Sequence, residues 1–146
     1  MSAKELMELQ EKDRKIIDLL REDARATIRD IAKRTSLRPS TVHQRMQKMD
    51  KEGVIEKYTV KLNNDKVGEN FIVFIMVKSS KDIEKSALKD DRIREVFGVT
   101  GGFDLMIKCK FKDIVDFNDF IIAFRKKDGI EATETVVSTV TIKEEL

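Results

Sequence analysis

The spacing of apolar residues changes once along the chain, near Gly53, and this change constrains the fold more than any other feature. Before Gly53 apolar residues recur every three or four positions, as they do in amphipathic helices. Beyond it, Tyr58–Leu62 alternates between apolar and polar residues, and Phe71–Lys78 is a short apolar run ending in lysine, as in β-strands. The 146 residues suffice for two small domains, so the sequence predicts a helical domain followed by an α+β domain.

The first two predicted helices precede a short polar joint at residues 36–39. One has Asp13 as its N-cap and ends near Arg21, with residues 1–12 as an N-terminal extension. The other follows Thr27, which together with Asp30 three residues later forms a weak capping box.

The third predicted helix carries an apolar stripe on one side and polar side chains on the other. It begins at Pro39, since proline is favoured at the first helical position, and ends near Gly53, which suits a left-handed C-terminal cap. Val42, Met46 and Met49 lie within about 60° of one another around the helix, so they face the core. The polar side chains on and beside the opposite face are Ser40, Thr41, His43, Gln44, Gln47, Lys48 and Lys51.

The second half of the chain is predicted to form a ferredoxin-like βαββαβ domain. In this fold both helices cover one face of a four-stranded antiparallel sheet. An uncovered sheet face tends to aggregate unless something packs on it, which predicts at least a homodimer through this domain. The predicted elements are strand Phe71–Lys78, helix Asp82–Lys89, strand Ile93–Val99, strand Phe103–Phe111, helix Asp113–Arg125 and strand Thr133–Ile142.

These elements divide the chain into three parts. Residues 1–55 form the helix-turn-helix domain with its extension, residues 56–69 form a linker that contains a β-strand, and residues 70–146 form the ferredoxin-like domain. The turn residues Asn63, Asn64, Asp65 and Gly68 mark the end of the linker.

Basic residues concentrate in the first half, although the whole chain has a net charge of only +2. Residues 1–66 contain 16 basic and 12 acidic residues, whereas the remainder is net acidic. Between Arg25 and Lys51 eight basic residues stand against two acidic ones. Such a local excess is expected of a surface that binds phosphate groups, although solvated basic helix faces are also common.

Two helices joined by a short turn, with polar and basic side chains on the second, are typical of a helix-turn-helix. In that motif the second helix enters the major groove of DNA while the first crosses the backbone. Arg and Gln side chains form bidentate hydrogen bonds with guanine and adenine edges, and Ser and Thr contact either base or phosphate. The alternative is a solvated corner between two helices. The residues predicted to meet phosphates are Arg25, Arg29, Lys33 and Lys48.

Several short motifs resemble those of the Lrp/AsnC (feast/famine) family of bacterial and archaeal transcription regulators. The resemblance extends from Lys12 to Ile142, nearly the whole chain, and two unrelated sets of motifs occur in the right order. In the second half they are residues 99–105 (VTGGFDL) and the closing stretch Thr135–Ile142. In the first half they are residues 13–17 (DRKII), 23–25 (DAR), 31–32 (IA), 37–45 (LRPSTVHQR) and 53–55 (GVI).

The resemblance implies a winged-type helix-turn-helix joined by a β linker to a ferredoxin-like domain that dimerises through its sheet and assembles further into tetramers or octamers. Because such a dimer has two-fold symmetry, the expected partner is double-stranded DNA that contains a pseudo-palindromic operator. The residues that the resemblance places on or near DNA are Arg38, Ser40, Thr41, His43, Gln44 and Arg45. It also implies that small effectors, commonly amino acids, bind between dimers near Gly101, Gly102, Phe103, Asp104 and Thr139.

The chain departs from the family pattern at the turn, where Ser36 and Arg38 stand in place of the usual Gly and Ser. The usual hydroxyl N-cap of the third helix is therefore missing. Arg38 is instead available to reach a phosphate or a base.

Some candidate residues also have purely structural explanations. Gly101 and Gly102 make a tight hairpin turn, in which Asp104 can accept backbone hydrogen bonds. His43 is either a DNA contact or a solvated side chain. Cys109, the only cysteine, is predicted to be a small buried hydrophobe in a strand.

Other functional classes are disfavoured by the sequence. No clustered nucleophile, base and oxyanion donors are visible, and the single histidine and single cysteine cannot form a zinc cluster, so no enzyme, cofactor or metal is predicted. Neither a signal peptide nor a membrane span is predicted, and a cytoplasmic location is expected. Tyr58 and Phe71 suggest a base-stacking platform for RNA, but the signature of RNA-recognition domains is absent and this half is acidic.

The sequence therefore predicts a homodimeric, sequence-specific DNA-binding transcription regulator that an amino acid or another small effector modulates. Two alternatives stay open. One is an architectural protein that coats DNA with little sequence choice, and the other is an amino-acid sensor or small enzyme in which the ferredoxin-like domain is the active part.

Overall fold

The computed structural model describes residues 9–146, and these divide into two compact units with the boundary between Val60 and Lys61. This boundary lies inside the predicted linker, residues 56–69. The predicted N-terminal extension, residues 1–12, lies mostly outside the described residues.

The first unit consists of three helices: α1 (Glu11–Glu22), α2 (Ile28–Thr35) and α3 (Pro39–Lys51). The prediction that Asp13 is the N-cap of α1 is wrong, because the helix begins at Glu11 and Gln10 occupies the cap position. Asp13 stands three residues further on, and its carboxylate accepts a hydrogen bond from the Gln10 backbone N–H at 2.8 Å. An acidic residue at this position satisfies a backbone donor that the helix leaves without a partner.

The start of α2 agrees with the prediction. Thr27 caps the helix, with its hydroxyl oxygen accepting from the Asp30 backbone N–H at 3.1 Å. Asp30 in turn accepts from the Thr27 backbone N–H at 3.3 Å, which completes the capping box. Together α1, α2 and α3 enclose a small core of Ile16, Leu19, Ile31, Ala32, Val42 and Met49.

The second unit contains four strands, β1 (Phe71–Ser79), β2 (Ile93–Gly98), β3 (Leu105–Phe111) and β4 (Ile130–Val137). They form an antiparallel sheet with strand order β2-β3-β1-β4, the order of the ferredoxin-like fold. Helix α5 (Ile114–Arg125) agrees closely with the predicted helix Asp113–Arg125, and it begins after Asp113, whose side chain accepts a hydrogen bond from the Asp116 backbone N–H.

Three predictions for this unit are wrong in detail. The helix predicted at Asp82–Lys89 is only a 3-10 turn, Lys85–Leu88, because so short a segment offers few turns to offset the cost of helix nucleation. The last strand was predicted at Thr133–Ile142 but runs from Ile130 to Val137, since its ends are fixed by pairing with β1. In the hairpin β2 ends at Gly98 and β3 begins at Leu105, so both strands stop slightly further from the glycine turn than predicted.

The strand predicted within the linker is not formed in the single chain. Residues 56–63 have no regular secondary structure, and they lead into the four-residue helix α4 (Asn64–Val67). A strand requires a partner for its backbone hydrogen bonds, and the alternating apolar residues of this segment remain exposed.

One face of the sheet packs against α5 and holds an aromatic core. Phe111, Phe120 and Phe124 form consecutive ring contacts with centroids 5.2 to 5.4 Å apart. Cys109 on β3 is fully buried in this core, as predicted, and burial raises the pKa of its thiol to about 12.

The opposite face of the sheet is partly covered by the segment after β4. Ser138 and residues 140–144 line a groove of about 250 Å³ together with Ile72, Phe74 and Lys108. Elsewhere on this face Phe97 and Val136 are about half exposed, at 51% and 53%. No helix among the described residues combines the length and apolar character that a membrane span requires.

Candidate functional site

The turn between α2 and α3 sets the start of α3. Ser36 adopts a left-handed conformation with φ 58° and ψ 28°, and the Leu37 N–H donates to the carbonyl of Ala32 at 3.1 Å. Arg38 occupies the N-cap position of α3 without any side-chain capping bond, and Pro39 is the first helical residue. The predicted start of the helix is therefore confirmed, and the Arg38 side chain is exposed.

The two sides of α3 differ as the periodicity predicts. Val42 and Met49 are completely buried in the core, and Met46 packs against it. The helix stops at Lys51, and Gly53 then adopts φ +72°, in keeping with the predicted left-handed termination. The side chains exposed on the other side are Ser40, His43, Gln44, Gln47 and Lys48, with Thr41 half-buried beside them.

Most of these polar side chains have no partner within the part of the chain that the structure describes. Among residues 9–146, Arg38, His43, Gln44 and Lys48 form no side-chain hydrogen bond or salt bridge with protein groups. Their donors and acceptors are therefore available to an external ligand. An exposed polar helix face of this kind fits the edges of base pairs.

Arg45 is the exception among the predicted DNA contacts. Its guanidinium binds the Asp13 carboxylate in a bidentate manner, with Nε–Oδ1 and Nη2–Oδ2 distances of 2.6 and 2.5 Å. Asp13 is completely buried and the Arg45 side chain is only 13% exposed. The hydrogen bond from Arg45 holds the pKa of Asp13 below its usual range, so the pair is ionised at neutral pH. Arg45 thus ties α3 to α1, which sequence spacing did not reveal.

The predicted phosphate contacts lie on the surface of the first unit. Arg25 is exposed just before α2, and Arg29 and Lys33 are exposed on α2 itself. Arg34 pairs with Glu22 at 2.8 Å, but both side chains remain more than half exposed. These residues give the unit a basic surface next to the turn.

The predicted effector residues occupy the hairpin between β2 and β3. Gly101 has φ +109°, which a side chain would rarely tolerate, so the hairpin interpretation is confirmed. Asp104 accepts a hydrogen bond from the Ser79 backbone N–H at 2.8 Å, which makes it a structural residue of the turn. Phe103 is half-buried, and a Cβ added at Gly102 would meet nothing within 4 Å, so the turn is open to solvent.

Thr139 was predicted to lie in the last strand, but the structure places it outside that strand. Strand β4 ends at Val137, and Thr139 is exposed in the segment that follows. Val137 pairs with Val73, which lies close to the beginning of β1, so almost no residues of β1 remain to pair with the chain beyond Val137.

The stacking platform considered for RNA is not present. Tyr58 lies outside every strand, and its hydroxyl donates to Asp50 at 3.1 Å. Phe71 is half-buried and packs on Phe117 with ring centroids 5.9 Å apart. The two aromatic residues therefore do not share an open sheet face.

Comparison with protein families matches both halves of the chain. Residues 9–56 match a winged helix-turn-helix DNA-binding family, and residues 71–146 match the Lrp/AsnC ligand binding domain. The first match contains every residue predicted to contact DNA, and the second contains the Gly101–Asp104 turn.

Relatives that align with nearly the whole chain are named as transcriptional regulators. An HTH-type transcriptional regulator of Pyrococcus furiosus is 36% identical over 143 residues, which cover 95% of this chain and 97% of that protein. The HTH-type transcriptional regulator FL11 of Pyrococcus abyssi is 34% identical over 140 residues, or 93% of each chain.

Solved structures share the whole fold at lower sequence identity. A transcriptional regulator of Neisseria meningitidis in complex with L-Met superposes with a TM-score of 0.86 at 23% identity, covering 94% of each chain. AsnC of E. coli gives a TM-score of 0.83 at 24% identity, covering 95% of this chain and 97% of its own. At this level of identity the structural match establishes the fold alone.

Proposed function

Because the chain belongs to the Lrp/AsnC family of transcription regulators, we propose that the exposed face of α3 reads base edges in the major groove of a specific operator. Membership of this family makes the protein a DNA-binding regulator and not an enzyme. The observation that carries the proposal is the row of exposed, unpartnered polar side chains opposite the buried Val42 and Met49.

The exposed residues divide into two chemical roles. Gln44 is suited to adenine through its paired donor and acceptor, while Arg38, Ser40, Thr41 and His43 lie at the same end of the helix and reach bases or phosphates. The phosphate contacts, which add affinity without sequence choice, are Arg25, Arg29 and Lys48.

Arg45 has a different role in this proposal. Its guanidinium is committed to the buried Asp13, and removing it from that carboxylate leaves a buried charge without a partner. Arg45 is therefore a positioning residue that fixes the angle of α3, and base contact falls to its neighbours.

We further propose that the protein is a homodimer through the sheet face opposite α5, and that dimers assemble into tetramers or octamers. Phe97 and Val136 are large apolar side chains half exposed on that face, and their burial would favour association. A two-fold dimer requires a pseudo-palindromic operator with half-sites about one helical turn apart.

We further propose that a small effector of the amino-acid class binds at the turn formed by Gly101, Gly102, Phe103 and Asp104, with Thr139 contributing from the segment after β4. The open space around the glycines and the ligand-binding family match of residues 71–146 support this site. The Neisseria regulator with L-Met bound gives the chemical class of effector to test first. A DNA partner and a free buried cysteine are both consistent with a cytoplasmic protein.

Selection of binding sites from random duplex DNA tests the central proposal. We expect the purified protein to enrich a pseudo-palindromic motif, because a fixed row of side chains on α3 prefers particular base edges. Enrichment of no motif, with binding retained, would instead identify a protein that coats DNA with little sequence choice.

Light scattering on the same preparation tests the assembly. We expect the mass of a dimer or a multiple of it, with a change in size when L-methionine or another amino acid binds. A monomer at the concentration that binds the operator would contradict the proposed interface.

A further inference from the structure

The sheet face that we assign to the homodimer carries a groove with a basic side chain in its floor. Ile72, Phe74 and Lys108 line this groove from the sheet, and Ser138 and residues 140–144 line it from the segment after β4. The Lys108 side chain is only 15% exposed there. When two copies pack through this face, side chains of the second copy fill the groove, and the charges around it select which side chains fit.

Three lysine side chains converge on one carboxylate beside the groove. Glu144 Oε1 accepts hydrogen bonds from Lys61 Nζ at 2.8 Å and from Lys110 Nζ at 2.9 Å, and its Oε2 lies 2.8 Å from Lys108 Nζ. Glu95 adds a second carboxylate, 3.9 Å from Lys108 Nζ. Among the residues that the structure describes, three ammonium groups therefore stand against two carboxylates.

This surplus of one positive charge becomes costly when the face is covered. Hydrogen bonds from the lysines, first of all Lys108, hold the pKa of Glu144 far below its usual range, so Glu144 already counts as a full negative charge. Packing of a second copy removes the groove from water, and an ammonium buried without a carboxylate strongly disfavours association. We therefore expect the second copy to bring a carboxylate to this point.

Glu134 is a carboxylate on the same face that has no partner in its own chain. It lies on β4 opposite Met76 of β1, and its neighbour Val136 lies opposite Phe74. Phe74 also pairs with Lys108 of β3. Paired residues, and residues two apart in a strand, point to the same side of a sheet, so Glu134 and Lys108 share one face. Glu134 is exposed, and within residues 9–146 its carboxylate forms no hydrogen bond or salt bridge.

Lys108 and Glu134 lie on either side of the middle of β1. Lys108 stands on β3 level with Phe74 and Glu134 stands on β4 level with Met76, so Ile75 lies midway between them. Strand spacing and rise place their backbones about 12 Å apart, and they form no ion pair within one chain. In a face-to-face dimer the two-fold axis lies between the sheets. An axis that passes over Ile75 and crosses the line from Lys108 to Glu134 at a right angle exchanges these two positions.

We propose that Glu134 of each copy enters the groove of the other copy and neutralises Lys108, so that two equivalent ion pairs join the homodimer. This inference rests on the homodimer proposed above and names the side chains that set how its two sheets are aligned. The groove of one chain is incomplete without the carboxylate of the second. Val136, next to Glu134 on the same face, then packs on the apolar groove residues Ile72 and Phe74.

Reversing either charge tests the contact. Glu134→Lys sets two lysines against each other in both contacts of a homodimer, and Lys108→Glu sets two carboxylates there. We expect each variant alone to dissociate about a hundredfold more readily than the wild type, as measured by sedimentation equilibrium, because close charge pairs at interfaces are strongly coupled. The control is Asp119→Lys on α5, an exposed residue of the helix that covers the other face, and it should associate as the wild type does.

Mixing the two variants separates a contact between copies from damage within one copy. In a heterodimer of Glu134→Lys with Lys108→Glu, both contacts again join one lysine to one glutamate. We expect the mixture to dimerise within about tenfold of the wild type, with energy transfer between a donor on one variant and an acceptor on the other. A mixture that dissociates as readily as the separate variants, or a Glu134→Lys protein that dimerises as the wild type does, would overturn the ion pair and leave the homodimer standing. A monomeric wild type would overturn the homodimer and the ion pair together.

Cross-linking of the wild type tests the same contact without any substitution. A carbodiimide condenses an ammonium and a carboxylate that touch into an amide, with loss of water. In dimers assembled from unlabelled chains and chains labelled with heavy nitrogen, mass spectrometry should find Lys108 of one isotope joined to Glu134 of the other. The product between Lys108 and Glu144 of one chain is the internal control. Absence of the mixed product would contradict the proposal.

Discussion

The two units of the chain are stabilised by different kinds of interaction. The ferredoxin-like unit has a larger apolar core, in which the rings of Phe111, Phe120 and Phe124 contact one another between the sheet and α5. The three-helix unit has a small core and places the buried ion pair Asp13–Arg45 beside it. The difference indicates that α3 is held partly by a buried ion pair, whereas the second unit is held by apolar packing.

The largest effect is expected from the aromatic core. Phe124→Ala should lower the free energy of unfolding of the second unit by about 3–5 kcal/mol, because it removes a fully buried ring and leaves a cavity. Hydrogen exchange should show lost protection in β1 and β3, with α1–α3 unchanged. Equal loss of protection in both units would contradict the view that each has its own core.

The next largest effect concerns the ion pair. Arg45→Ala should lower the free energy of unfolding of the first unit by about 3 kcal/mol, since it leaves the buried Asp13 carboxylate without its partner. The control is the double substitution Asp13→Asn with Arg45→Met, which removes both charges and should cost less, as measured by urea unfolding. If Arg45→Ala kept full stability while losing operator binding, Arg45 would be a DNA contact and not a positioning residue.

Acid should weaken the first unit through the same pair. The pKa of Asp13 in the folded protein lies below its ordinary value of 3.8, so its contribution to stability is present above that value and is lost as the pH falls through the folded pKa. Urea unfolding of the wild type between pH 5 and pH 3 should therefore show a steeper loss than the double substitution. Parallel pH profiles for the two proteins would show that the pair contributes nothing.

The smallest effect is expected at the turn before α3. Ser36 has a left-handed backbone, so Ser36→Gly should raise the free energy of unfolding by about 0.5–1 kcal/mol by relieving the steric cost of the side chain. Thermal unfolding should show a higher midpoint for Ser36→Gly and no gain for Ser36→Ala. A lower midpoint for Ser36→Gly would mean that the serine side chain stabilises the turn.

The sequence predicted most of the helix ends that depend on local chemistry, although it placed the N-cap of α1 at Asp13 and not at Gln10. Thr27, Pro39 and Gly53 fixed helix ends correctly because caps and proline act within a few residues. The sheet order also followed from the pattern of elements, but the bounds of β4 did not, because they depend on which residues of β1 remain to be paired.

The features that were missed depend on contacts between distant residues. Asp13 and Arg45 are 32 positions apart, and nothing in the periodicity of either helix indicates that they meet. Glu144 likewise joins Lys61 across 83 positions. Contacts between charged residues so far apart in the sequence become visible only in the folded structure. The sequence therefore predicted the apolar faces of helices and strands better than it predicted these ion pairs.

The most direct test compares substitutions of Gln44 and Lys48, which lie four positions apart on α3, for their effect on the preference for operator over random DNA. Operator and random-duplex affinities should be measured by fluorescence anisotropy for Gln44→Ala and Lys48→Ala at one salt concentration. We expect Gln44→Ala to weaken operator binding by about 1–3 kcal/mol while leaving random DNA unchanged, and Lys48→Ala to weaken both equally. If Gln44→Ala weakened both duplexes equally, the exposed face of α3 would not be reading bases.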